Sequence, residues 1–96
     1  MGYALKIGKI DNVVTVVNEI KEGDIVKYLD NMEVKELLAQ DNIPMYHKIA
    51  VEDIKKDEDI VKYGENIGRA STDIKKGSHV HVHNVKAHRE NLEDKE

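Results

Sequence analysis

The residues best suited to chemistry in this sequence are histidines in strict alternation, within Gly77-Ser78-His79-Val80-His81-Val82-His83-Asn84. Side chains two apart on a β-strand share a face, so an extended reading lines up His79, His81 and His83 on one side, about 6.6 Å per step. Val80 and Val82 then mark the core side. Imidazole titrates near pH 6.5 and is a ready transition-metal ligand, so the row could act as acid or base, or two neighbours could hold a divalent cation. A solvated sheet face explains any single histidine. It explains three less well, because threonine would make a better strand. A second candidate is Tyr46-His47-Lys48, just after Pro44 and before the apolar Ile49-Ala50-Val51. There Lys48 supplies a point charge and His47 a donor for an anionic carboxylate, although the plainer reading is the start of a surface strand. Tyr63-Gly64-Glu65-Asn66-Ile67-Gly68 reads as a turn between strands rather than a phosphate cradle, since no helix start follows it.

The elements that must position these residues are short. One phrase recurs three times, at Glu19-Ile20-Lys21-Glu22-Gly23-Asp24-Ile25-Val26, Asp53-Ile54-Lys55-Lys56-Asp57-Glu58-Asp59-Ile60-Val61 and Asp73-Ile74-Lys75-Lys76-Gly77-Ser78-His79-Val80. Each is an acid, an isoleucine, polar residues, a turn former and a return to β-branched residues, which describes a tight turn pinned by one buried Ile. Between the turns lie extended runs at 13–17, 25–29, 47–51, 60–63, 67–71 and 79–85. Their length and β-branched content predict a mostly β domain over residues 1–85. Residues 32–40, containing Glu33-Val34-Lys35-Glu36-Leu37-Leu38-Ala39, have the composition of a helix. Residues 86–96 carry one large apolar side chain, Leu92, and are expected to be a flexible tail or a helix docked on a partner.

Composition removes several function classes. The 96 residues suit one small domain, with little material for both a core and a deep cleft. There is no cysteine, so neither disulfides nor thiolate metal sites are available. The net charge of −4, with basic residues scattered among acids, argues against nucleic acid, as do four tyrosines with no Trp or Phe. No stretch has the apolar length of a membrane span or a signal peptide, so a soluble, cytoplasmic protein is expected.

Taken in order, Asp11-Asn12-Val13, Ile43-Pro44 with His47-Lys48-Ile49-Ala50, Tyr63-Gly64 with Ile67-Gly68-Arg69-Ala70, and Gly77 leading into His79-Val80-His81-Val82-His83-Asn84 resemble the N-terminal domain of altronate and galactarate dehydratases. That domain also occurs as a separate small subunit. The resemblance spans residues 11–84 and departs from the family before His47, where Met45-Tyr46 stands in place of a glycine. It implies a SAF domain of β-clip fold, and a strand rather than a helix at 32–40. It also implies a lyase reaction, the removal of water from a hexonate to give a 2-keto-3-deoxy acid, assisted by a divalent metal such as iron or manganese.

On that resemblance a large catalytic dehydratase subunit would hold most of the metal, and this chain would be inactive alone. Its own contribution would be His81 and His83 as catalytic groups, with His47, Lys48, His79 and Asn84 binding the sugar-acid substrate. Altronate is the expected substrate. The small subunit of a sulfolactate sulfo-lyase and a non-catalytic SAF binding module are the alternatives, and a homo-oligomer is left open.

Overall fold

The computed structural model describes residues 2–5 and 10–87. Within them the chain forms strands β1 (Gly2–Leu5), β2 (Val13–Val16), β3 (Ile25–Asp30), β4 (Glu33–Leu38), β5 (Lys48–Ala50), β6 (Asp59–Lys62), β7 (Glu65–Ala70), β8 (His79–Val80) and β9 (Val85–Lys86). They make a six-stranded sheet, ordered β4-β3-β1-β2-β5-β8, and a three-stranded sheet, β6-β7-β9. The mostly β expectation is met, and no described residue is helical. Among these residues no helix is long and apolar enough to cross a membrane.

Residues 33–38 form a strand, so the helical composition of 32–40 is overridden. The turn residues Asn31 and Met32 both take positive φ, 52° and 71°, which joins β3 to β4 as a two-residue hairpin. The pairing then matches opposite charges, with Lys27 Nζ 3.7 Å from Glu36 and Lys35 Nζ 3.0 Å from Asp30. β1 was not expected, because Gly2-Tyr3-Ala4-Leu5 contains no β-branched residue.

The recurring phrase is one unit of the architecture, and the structure shows a fourth copy that its sequence conceals, Asn42-Ile43-Pro44-Met45-Tyr46-His47. In all four the turn closes with an N–H donating to the carbonyl three residues back: Asp24 to Lys21, His47 to Pro44, Glu58 to Lys55 and Ser78 to Lys75. The third turn residue has φ of 93° at Gly23, 70° at Tyr46, 74° at Asp57 and 91° at Gly77. Copies associate in pairs through buried isoleucines, Ile20 bridging Ile43 and Ile54 bridging Ile74. In three of the four copies the polar residue before the isoleucine caps the opposite turn: Asp53 accepts from Lys76 N–H, Asp73 from Lys56 N–H and Asn42 from Glu22 N–H. That is why the phrase needs an acid or amide ahead of its isoleucine.

Two apolar clusters lie on either side of β2 and β5. Val14, Val16, Ile20, Val26, Leu37, Ile43 and Ile49 form one, and Val13, Ala50, Ile54, Ile60, Ala70, Ile74 and Val80 the other. A strand buried on both faces reads as a continuous apolar run, as Val13-Val14 and Ile49-Ala50 do. Buried Asp11 and Asn12 fasten the second sheet to the first. Asp11 accepts from the Tyr63 and Gly64 N–H groups at 2.9 and 2.7 Å, and Asn12 accepts from Val61 N–H and donates to Asp59 O.

The extended reading of 79–85 fails. β8 ends at Val80, residues 81–84 turn, and Val82 is 80% exposed instead of facing the core. Asn84 causes this bend. Its buried side chain accepts from His81 N–H and donates to His79 O, both at 2.9 Å, a local closure that competes with the ladder. Lys86 lies in β9, one residue past the expected domain boundary, with Nζ 2.6 Å from Asp57. The tail expected beyond Ala87 falls outside the described residues.

Candidate functional site

The site is assembled where β5 pairs with β8. Their register sets Ile49 opposite His79 and Lys48 opposite Val80, so the fourth turn, which ends at His47, comes to rest beside the strand that begins at His79. Gly77, just before β8, packs closely against the end of β4: a Cβ there would stand 2.2 Å from the Leu38 carbonyl oxygen. Asp41 holds the start of β8, accepting from His79 N–H at 2.9 Å.

Three histidines converge as a result. His47 Nδ1 and His79 Nε2 are 2.9 Å apart, one ring donating and the other accepting. The His81 ring stacks on His47 with centroids 4.1 Å apart and interplanar angle 22°, and lies 5.7 Å from His79. One nitrogen from each of His47, His79 and His81 can be chosen so that all three lie within 4.8 Å of one another. His83 stands aside, exposed, with its ring 5.1 Å from that of His79. The predicted row of three is therefore rearranged: the turn at 81–84 keeps His79 and His81, displaces His83 and admits His47.

The surroundings disfavour the charged forms of His79 and His81. Burial, with the neighbouring His83, His47 and His81, pushes His79 below the ordinary histidine range, and Asp41 pulls weakly the other way. Burial likewise lowers His81, helped by His47, Lys48 and His83. His81 Nδ1 is buried with no hydrogen-bond partner among the described residues. An orphaned buried nitrogen costs about 1–3 kcal/mol, which a bound ion or water would relieve.

Lys48 opens β5 directly after His47 and lies near enough to His81 for its charge to help lower that imidazole. Burial and then the neighbouring charge of Lys62 lower the pKa of Lys48 itself. Thr15 is its direct partner across β2–β5, the Tyr63 hydroxyl lies 3.4 Å from Thr15 Oγ1, and Lys62 Nζ sits 5.1 Å from the centre of the Tyr63 ring. Half-buried Lys27 and Lys86 have carboxylate partners, whereas half-buried Lys48 and Lys62 have none among the described residues. Sequence reasoning missed Lys62, which only the packing of the β6–β7 hairpin brings near Lys48. Asn84 is the other revision. Both ends of its amide serve the 79–84 turn, so its evident role is to place His79 and His81.

Residues 2–88 match the altronate/galactarate dehydratase SAF domain. The chain belongs to this family. It is 45% identical over 91 residues to altronate dehydratase of Bacillus subtilis (strain 168), covering 94% of this chain and 17% of that protein. With altronate dehydratase of Escherichia coli (strain K12) the identity is 42% over 90 residues, again covering 17% of the relative. With the (2R)-sulfolactate sulfo-lyase subunit alpha of Chromohalobacter salexigens it is 38% over 78 residues, covering 79% of this chain and 83% of that subunit. The SAF domain thus occurs both as a small part of a long lyase and as most of a lyase subunit, which agrees with the reading of the sequence.

The divalent metal that the resemblance implies can be tested for fit on the donors present. Three imidazoles, one bearing an unpartnered buried nitrogen, suit a transition dication; hard cations such as Mg²⁺ prefer oxygen ligands, which are missing from this cluster.

Proposed function

We propose that this SAF domain serves a hydro-lyase of the altronate dehydratase type, in company with a larger catalytic subunit, and that its histidine cluster faces the substrate. The observation that carries the reading is the convergence of His47, His79 and His81 in a chain matched to that family over residues 2–88. The reaction removes a proton from the carbon next to the carboxylate and a hydroxyl from the following carbon, giving a 2-keto-3-deoxy acid and water. A neutral imidazole can accept the first proton, and lowered pKa values keep His79 and His81 neutral at pH 7. His81 is the proposed base, and exposed His83 the donor to the departing hydroxyl. Lys48 supplies positive charge for the carboxylate, and His47 and His79 orient the acid.

A divalent metal, iron or manganese, held mainly by the larger subunit, would stabilise the negative charge that develops on the carboxylate. His47 and His79 are the residues of this chain that would reach it, with His81 left free as the base.

A second reading is the small subunit of a sulfolactate sulfo-lyase, in which bisulfite leaves instead of water. The similarity to subunit alpha over 83% of its length favours it. Purifying the chain alone and with its catalytic subunit, and assaying altronate and sulfolactate side by side, separates the two. The first reading requires 2-keto acid from altronate only when both subunits are present. Bisulfite from sulfolactate would support the second, and turnover by this chain alone would refute the division of labour.

A further inference from the structure

We infer that His47, His79 and His81 form a transition-metal site belonging to this chain itself, one that takes a borderline dication such as iron(II) or zinc and leaves coordination positions open. This departs from the proposed function, in which the metal rests mainly with the catalytic subunit and His81 takes the proton, because His81 as a ligand gives up the role of base; the site stands whichever acid the assembled enzyme uses.

Ligands about 2.0–2.1 Å from one ion lie about 2.9–3.4 Å apart. His47 Nδ1 and His79 Nε2 are already 2.9 Å apart, and the full set of three falls within 4.8 Å. The remaining contraction is a matter of side-chain rotation for half-buried rings. His81 Nδ1 is the nitrogen that needs a partner, being buried with none among the described residues. Neighbouring residues hold the backbones in place: Asp41 fixes His79 N–H, Asn84 fixes His81 N–H and His79 O, and Val16 N–H donates to His47 O. A cluster assembled from two separate turns and braced on three sides is pre-organised, which is what metal sites require. An all-imidazole set also selects: it favours Fe, Zn, Ni and Cu over Mg and Ca. Three protein ligands are the number typical of sites that bind a further small ligand.

The test uses the full 96-residue chain without any affinity tag, stripped with chelator. Titration with Zn²⁺ in a calorimeter, and with Co²⁺ followed by visible absorption, should show one ion per chain with a Kd of about 10 μM or tighter, and Mg²⁺ should not compete. His47→Ala, His79→Ala and His81→Ala should each weaken Zn²⁺ binding about 100-fold, whereas His83→Ala should change it less than about threefold. Because an alanine variant could misfold, the unmutated protein supplies the second readout: long-range ¹H–¹⁵N spectra should show one ring nitrogen of each of the three histidines shifting on Zn²⁺ addition. Three findings would overturn the inference: no Zn²⁺ binding below about 1 mM, undiminished binding in the triple variant, or ring nitrogens that do not move.

Discussion

Gly77→Ala should destabilise the protein by about 3 kcal/mol, while Gly23→Ala, at the equivalent position of another turn, should cost only about 1 kcal/mol. The two glycines share a conformation, φ of 91° and 93°, so the strain of forcing an L-residue into the left-handed region is common to both. Their surroundings differ. At Gly23 a Cβ would meet nothing within 4 Å, but at Gly77 it would lie 2.2 Å from the Leu38 carbonyl oxygen and 3.1 Å from Gln40 Cγ. Relieving that overlap means moving the end of β4 and stretching the bond from Gln40 N–H to Gly77 O, now 2.8 Å. The close contact and the weakened bond account for the extra 2 kcal/mol or so. For a domain of this size about 4–8 °C of melting temperature corresponds to 1 kcal/mol, which gives drops of roughly 12–24 °C and 4–8 °C. Thermal unfolding followed by circular dichroism measures both. Equal drops would refute the claim that crowding against β4, rather than turn strain alone, makes Gly77 obligatory.

Three further outcomes follow from the same contacts. Asp11→Ala removes the acceptor of the Tyr63 and Gly64 N–H bonds and should cost about 3 kcal/mol in urea unfolding, with Asp11→Asn recovering part of it. His79 and His81 have pKa values below the unfolded value of about 6.5, so the folded state binds fewer protons than the unfolded one; their contribution is complete above that pH and is lost as pH falls through the folded values. The melting temperature should therefore fall on acidification from about pH 7.5 to 5, and a His79→Ala/His81→Ala variant should show a flatter profile. Lys48→Gln should raise the KM of the assembled enzyme for its acid about tenfold, with kcat changed less; an unaltered KM would remove Lys48 from the substrate contacts.

Much of the fold was legible because burial on both faces writes itself as short β-branched runs, and because acid-Ile-polar-turn phrases repeat wherever one turn caps another. The fourth copy was not legible. Pro44-Met45-Tyr46 satisfies the same backbone without lysine or glycine, Tyr46 accepting a φ of 70°. β4 misled because helix and strand formers are weighed by composition, whereas Lys27, Asp30 and the hairpin decide its state through cross-strand pairs.

For the site, the alternation of His79, His81 and His83 pointed to the correct stretch but the wrong geometry. Alternation assumes an unbroken strand, and Asn84 breaks it by bonding back to residues 79 and 81. The company His47 keeps with His79 crosses 32 residues and depends on the β5–β8 register, which periodicity along the chain does not encode.

If the histidine cluster works on the substrate of an assembled lyase, turnover of the His81→Ala enzyme must show it. Removing His81 loses its stack on His47 and relieves the unpartnered Nδ1, two effects of opposite sign, so the variant should melt within about 1 kcal/mol of the parent and co-purify with the catalytic subunit. Its kcat should nevertheless fall about 100-fold or more. Full turnover by a folded, fully assembled His81→Ala enzyme would contradict the account.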